Sequence, residues 1–149
     1  MELKQQVHEF YQQLVNDKIQ IFRDMMSELT EDSKNDAKSS AGDKHETAIS
    51  MMQIEQEKIN RKLTEILEQK AILDKINKRI SSPIIGLGSL VFVNDLILYI
   101  ATALPKITID NQTIFALSPQ SPLASCMIRQ KEGYTFEREK KIYTIKKIF

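Results

Sequence analysis

The chain has 149 residues, of which 42% are hydrophobic and 28% are charged, and its formal net charge is +1. This length suits one ordinary domain, or a long helical hairpin with a small domain. Such a balanced charge gives no support for a nucleic-acid-binding or disordered chain. The only cysteine, Cys126, excludes an internal disulfide and favours a reducing compartment. Because the N-terminal residues also lack the pattern of a secretory signal, we expect a cytoplasmic protein.

Two long segments without Pro or Gly have the periodicity of amphipathic helices, residues 2 to about 30 and 46 to about 80. In each segment apolar residues recur at steps of three, four or seven, which places them on one helix face. Each apolar face, or stripe, must be buried against another helix. The simplest arrangement pairs the two segments with each other in an antiparallel coiled coil. The predicted stripe residues are Leu3, Val7, Phe10, Leu14, Ile21, Met25 and Leu29, followed by Met52, Ile59, Leu63, Ile66, Leu73, Ile76 and Ile80.

Two acids follow the polar connection between these segments. The connection, residues 30–42, has no apolar side chain larger than Ala, and Asp43 and Glu46 come directly after it. Three residues apart at a helix start, the two carboxylates would face the same side. They could simply cap the helix and favour its dipole by about 0.3–1 kcal/mol each. They could also share a Mg²⁺ ion, provided that another protein supplies the remaining ligands. The spacing leaves both interpretations open.

Residues 83–104 are long and apolar enough to span a bilayer. However, Asn94 and Asp95 fall in the middle of this stretch, and a central Asp costs about 3 kcal/mol on insertion. Asn-Asp between two β-branched runs is also a turn signal. We therefore predict two paired strands here rather than a transmembrane helix.

The C-terminal part of the chain is predicted to be β-rich with one short helix. Ser81-Ser82-Pro83 should end the second long helix. Ser121 is the predicted N-cap of the short helix and Pro122 its first residue, where a missing N–H does no harm. The predicted fold class is α+β, with a coiled-coil finger over residues 1–80, an acidic tip near 39–48, and a small α+β domain over residues 81–149.

At the predicted tip, residues 42–48 read Gly-Asp-Lys-His-Glu-Thr-Ala. This motif and the layout around it resemble the Gre transcript cleavage factors of bacteria, the GreA and GreB family, whose tip typically reads Gly-Asp-Leu-Lys-Glu-Asn-Ala. Residues 117–134 follow the family's C-terminal pattern Ile-Ser-x-x-Ser-Pro-Ile-Ala-x-x-Leu-Ile-Gly-Lys-x-x-Gly-Asp. Residues 88–91, Gly-Ser-Leu-Val, also resemble the family's entry into this domain.

The resemblance implies an FKBP-like C-terminal domain and a role in transcription elongation. In that family the coiled-coil finger enters the secondary channel of RNA polymerase, and its tip acids help position a metal and water near the nascent RNA 3′ end. Asp43 and Glu46 would be these acids, and Gln120, Ser121 and Pro122 would dock on the channel rim. The Mg²⁺ belongs to the polymerase active site. The chain would then be an accessory factor rather than an enzyme, without a cofactor, a small-molecule substrate or a membrane partner of its own.

The chain also departs from the family pattern. Residues 49–55, Ile-Ser-Met-Met-Gln-Ile-Glu, lack the Tyr that usually follows the tip, and His45 stands where Lys is usual. The C-terminal domain is shorter than usual, with a trimmed connection between Val93 and Lys106. Two alternatives therefore stand beside the first expectation. One is a non-cleaving regulator in the secondary channel, and the other is a coiled-coil scaffold protein whose tip acids are only helix caps.

Overall fold

The fold consists of two N-terminal helices followed by a six-stranded sheet, so the predicted α+β class is confirmed. The computed structural model describes the backbone of residues 2–39 and 43–149 and the side chains of residues 2–32 and 46–149. The helices are α1 Glu2–Ser39, α2 Asp43–Asp74 and α3 Pro122–Met127. The strands are β1 Leu90–Val93, β2 Leu96–Ile100, β3 Leu104–Ile109, β4 Gln112–Leu117, β5 Thr135–Arg138 and β6 Lys141–Ile148.

The chain divides into two compact units. The first unit, which we call the sheet unit, contains Met1–Gln12 and Ala71–Phe149, and the second, the helical unit, contains Gln13–Lys70. α1 continues to Ser39 instead of ending near residue 30, because residues 30–39 contain neither Pro nor Gly to stop it. The predicted domain boundary near residue 80 stays a prediction.

α2 ends at Asp74, about six residues earlier than predicted. The Ile76 N–H donates to the Leu73 carbonyl, so the last turn has tightened to a three-residue spacing. Asn77 then forms a local turn, in which its side-chain oxygen accepts from the Arg79 N–H at 3.0 Å. An Asn that satisfies the backbone locally competes with the helix, and this explains the early end.

The predicted stripe of α1 is confirmed at Val7, but elsewhere the buried face differs from it by about one residue position. Phe10 and Met25 are exposed, and 51% of the Ile21 side chain is accessible to solvent. α1 has apolar residues on two neighbouring lines, and periodicity alone did not identify the buried one. The prediction for α2 is confirmed for Ile59, Ile66 and Leu73, whereas Ile80 lies beyond the helix and is exposed. The fully or nearly buried apolar residues of α1 are Val7, Tyr11, Val15 and Ile19.

The sheet has the strand order β3-β4-β2-β1-β6-β5. Only β2 and β4 pair in parallel, and all the other neighbours are antiparallel. The predicted turn between β1 and β2 is confirmed, with Val93 opposite Leu96 and Asn94 at φ 50°. Residues 83–104 thus contain strands instead of a spanning helix. No helix within the described ranges is both long enough and apolar enough to cross a membrane.

The sheet is covered on both faces within its own unit. On one face, Val91, Leu98 and Ile145 belong to a buried cluster with Ala124 and Met127 of α3. Successive side chains of a strand point to opposite faces. On the other face Tyr99 therefore meets the beginning of α1, where its ring stacks on Tyr11 at a centroid distance of 6.3 Å. The first three turns of α1 are thus part of the core of the sheet unit.

Candidate functional site

The two predicted tip acids lie in the first turn of α2, which begins at Asp43. Glu46 is exposed to solvent. Gly42 and the side chains of Asp43 and His45 lie outside the described residues, so the capping and metal-binding interpretations of Asp43 both stay predictions. A single carboxylate such as that of Glu46 binds a hard cation weakly, because Mg²⁺ prefers an octahedral set of oxygens. A metal here would need several further ligands.

The predicted docking residues form a fixed turn at the start of α3. Ser121 is the N-cap, with φ −62° and ψ 152°, and its Oγ accepts from the Ala124 N–H at 3.3 Å. Pro122 is the first helical residue, so the predicted capping is confirmed. Ser125 Oγ donates to the Ser121 carbonyl at 2.8 Å. Gln120 and Pro122 are exposed, and this turn therefore presents an accessible surface on a hydrogen-bonded backbone.

α3 is anchored to the sheet unit both along its length and directly after its last residue. Ala124 and Met127 are fully buried against the sheet. After the helix, the Arg129 N–H donates to the Ile85 carbonyl at 2.8 Å, and the Ile85 N–H donates to the Gln130 carbonyl at 2.9 Å. The docking residues belong to the sheet unit, and the tip acids belong to the helical unit.

A buried polar cluster, which we call the tyrosine–histidine cluster, consists of His8, Tyr11 and Tyr99 and was not predicted. His8 Nδ1 and the Tyr99 hydroxyl lie 2.6 Å apart, and the Tyr11 hydroxyl donates to the Pro105 carbonyl at 2.8 Å. Burial raises the pKa of Tyr11 to about 12 and also raises the pKa of Tyr99. Burial lowers the pKa of His8, and the charge of Lys78 lowers it further. Both hydroxyls therefore keep their protons, and His8 favours its neutral form.

Lys4 is a second buried polar group that sequence reasoning missed. Its side chain is 3% exposed, and Nζ donates to the Ile80 carbonyl at 2.7 Å. Burial lowers the pKa of Lys4. Lys4, His8 and Tyr11 are four and three residues apart, so they share one helix face with Val7. That spacing is the signal that could have found them, but the predicted stripe contained only apolar residues.

Among the described side chains, no group of three or more His, Cys, Asp or Glu residues is arranged to hold a metal ion. The chain matches no protein-family model, and no curated protein matches it. Any functional proposal therefore rests on the residues and the fold of this chain.

Proposed function

We propose that the chain is a Gre-like transcription elongation factor that binds RNA polymerase and stimulates its cleavage of backtracked RNA. The observation that carries this proposal is the position of α2. The helix begins at Asp43, so that both acids of the Gre-like motif fall in the first turn of a 32-residue helix, with Glu46 exposed. At 1.5 Å per residue, a helix of this length is about 48 Å long, which is enough to reach into a channel of another protein.

The helical unit supports the coiled-coil part of the proposal. α1 ends at Ser39 and α2 begins at Asp43, and these residues can be no more than about 15 Å apart. Ile59 and Ile66 are 8% and 4% exposed, a burial that requires a second helix alongside. Buried and half-buried side chains recur at alternating steps of three and four residues along both helices, which is typical of coiled coils. These side chains are Val15, Ile19, Phe22, Met26 and Leu29 in α1 and Ile49, Met52, Gln56, Ile59, Leu63, Ile66 and Lys70 in α2.

The sheet unit supports the proposed docking role. A six-stranded sheet with the short helix α3 between β4 and β5 is compatible with an FKBP-like domain, which we propose as the finer description of the fold. The turn at Gln120, Ser121 and Pro122 is the proposed contact with the channel rim. Because the Ser121 cap and the buried Ala124 and Met127 already fix this turn, docking would cost little ordering entropy.

The chemistry proposed for the tip is assistance to a metal-dependent hydrolysis. In the polymerase, Mg²⁺ stabilises the attacking and leaving oxygens of the phosphodiester reaction. Asp43 and Glu46 would supply carboxylate oxygens to the metal and accept hydrogen bonds from the attacking water. Two carboxylates alone bind Mg²⁺ weakly, so the acids would act only where the polymerase provides the other ligands. Cleavage would thus depend on both proteins.

The test is RNA cleavage in stalled, backtracked elongation complexes with the cognate polymerase and Mg²⁺. The wild type is compared with the Asp43→Asn, Glu46→Gln double variant. The matched control is Glu65→Gln, Glu68→Gln, which removes two exposed acids of the same spacing from the C-terminal half of α2. We expect the wild type and the control to shorten RNA 3′ ends, and the tip variant to bind polymerase without doing so.

Three outcomes would contradict the proposal. If the wild type binds polymerase but does not accelerate cleavage, the chain is a non-cleaving regulator of the channel. If it does not bind polymerase, the scaffold interpretation is favoured, and the tip acids are helix caps. Equal loss of cleavage in the tip and control variants would mean that the tip acids have no special role.

A further inference from the structure

The ammonium group of Lys4 is a buried cation with few partners. Its side chain is 3% exposed, and Nζ donates a hydrogen bond to the Ile80 carbonyl at 2.7 Å. An ammonium has three N–H donors, and a buried charge is costly unless it is paired. Burial is the cause of the lowered pKa of Lys4, with no contribution from a neighbouring carboxylate of the described residues. A small anion beside Nζ would supply the missing partner.

A cavity next to Lys4 has room for such an anion. Its volume is about 190 Å³, and we call it the Lys4 pocket. This is roughly six times the volume that a water molecule occupies in the liquid, so a small oxyanion and some water would fit. None of the described residues that line the pocket is an Asp or a Glu. Its polar side chains belong to Lys4, Lys75, Asn77, Ser81, Ser82 and Ser89.

Two serine hydroxyls of the Lys4 pocket are set up as donors. Ser82 Oγ accepts from the Ile84 N–H at 3.2 Å, and Ser89 Oγ accepts from the Gly86 N–H at 3.0 Å. Each oxygen already accepts a backbone proton, so its own hydroxyl proton is available for an acceptor. Lys75 adds a second cation to the same lining. An oxyanion is the kind of ligand that accepts from all of these groups.

One wall of the Lys4 pocket is held in a fixed conformation. Gly88 has φ +92°, and a Cβ atom there would lie 2.9 Å from Ile76 Cγ2, so only glycine fits without displacement. The Gly88 N–H donates to the Ile100 carbonyl at 2.6 Å, and the Ser89 N–H donates to the Gly86 carbonyl at 3.1 Å. This wall is therefore ordered before a ligand arrives, which favours binding.

We propose that the Lys4 pocket binds a phosphate group. Lys4 and Lys75 supply the positive charge, and the hydroxyls of Ser82 and Ser89 donate hydrogen bonds to the phosphate oxygens. The phosphate comes either from the free ion or from the 5′ end of a short RNA. The binding is independent of the proposed action on RNA polymerase, since every residue of the pocket lies in the sheet unit, whereas the tip acids lie in the helical unit.

The test is an NMR titration of the isotope-labelled chain with inorganic phosphate at constant ionic strength and neutral pH. We expect saturable shifts of the amide signals of Ser82, Gly88 and Ser89. Lys4→Met keeps a long side chain but removes the charge, and it should weaken binding by roughly tenfold or more. Lys106→Met removes an exposed lysine from β3 and is the matched control, for which unchanged binding is expected.

Several outcomes would overturn the proposal. These are no saturable shift at millimolar phosphate, or equal affinities of the Lys4→Met and Lys106→Met variants. If Lys4→Met does not fold, Lys75→Gln decides instead, with several-fold weaker binding expected and unchanged binding overturning the proposal. Competition by short RNA with and without a 5′ phosphate then identifies the source. Displacement by the phosphorylated RNA alone supports an RNA end, and no displacement by either supports the free ion.

Discussion

Acid should destabilise the sheet unit, because its fold keeps His8 neutral. The His8 side chain is 1% exposed, and its Nδ1 lies 2.6 Å from the Tyr99 hydroxyl, which can donate to it only while Nδ1 is unprotonated. Burial is the largest cause of the lowered pKa of His8. The charged groups that face His8 are Lys78 and Lys4, which lower its pKa, and Asp74 and Glu9, which raise it.

The direction of the effect follows from proton linkage. An unfolded His has a pKa near 6.5, so the unfolded chain takes up a proton below that pH while folded His8 does not. The free energy of unfolding must therefore fall as the pH decreases from 6.5 to the lowered pKa of folded His8. If His8 stayed neutral throughout, the loss between about pH 7 and about pH 5 would be about 2 kcal/mol. This value is an upper limit.

Urea unfolding at three pH values between these limits measures the effect. The chain has no Trp, and its four Tyr residues all lie in the sheet unit, so tyrosine fluorescence follows the unit that contains His8. The variants to compare are His8→Gln and His45→Gln, which change the only two histidines of the chain. We expect the pH dependence to persist in His45→Gln and to diminish in His8→Gln. An equal loss of stability with acid in the wild type and in His8→Gln would refute the reasoning.

Three further changes test the packing, each by chemical unfolding at neutral pH. Ser121→Ala removes the N-cap of α3 and should cost about 1 kcal/mol, whereas Ser121→Asp should cost less because Asp can cap as well. Asn94→Ala removes the side-chain bond to the Thr144 N–H at 2.9 Å and places Ala at φ 50°, so a loss of about 1–3 kcal/mol is expected. Ile66→Ala should lower the free energy of unfolding by about 2–5 kcal/mol, and Ile54→Ala, at an exposed position, by less than about 0.5 kcal/mol. Circular dichroism of the helices measures both. Equal effects at Ile66 and Ile54 would contradict the proposed coiled coil.

Features with a local cause were predictable from the sequence. The Asn94–Asp95 turn identified β1 and β2 correctly, because Asn tolerates a positive φ that most residues avoid. The predicted N-cap at Ser121 is also confirmed, since a Ser before Pro can accept a hydrogen bond from the first turn of a helix without help from the rest of the fold. These signals concern neighbouring residues, and tertiary contacts do not change them.

The buried face of α1 was not predictable from periodicity alone. Phe10 and Tyr11 are adjacent, and either could have faced the core. The sheet decides between them, because Tyr99 offers a stacking surface to Tyr11, and the Pro105 carbonyl accepts from its hydroxyl. The partner of a polar side chain is visible only when distant segments are brought together. The role of the tip acids is a different case, because their proposed function depends on contacts with another protein.

Two of the buried titratable groups of α1, Lys4 and His8, interact electrostatically, and this links stability to the proposed phosphate. Lys4 is one of the charges that lower the pKa of His8. A phosphate bound at Lys4 would offset that charge, because opposite charges attenuate each other's field. The pKa of His8 would then lie closer to its unfolded value. Phosphate should therefore raise the pKa of His8 in the wild type, but not in Lys4→Met, because the variant lacks the charge through which the two groups interact, and an NMR titration of the His8 ring signals measures this difference.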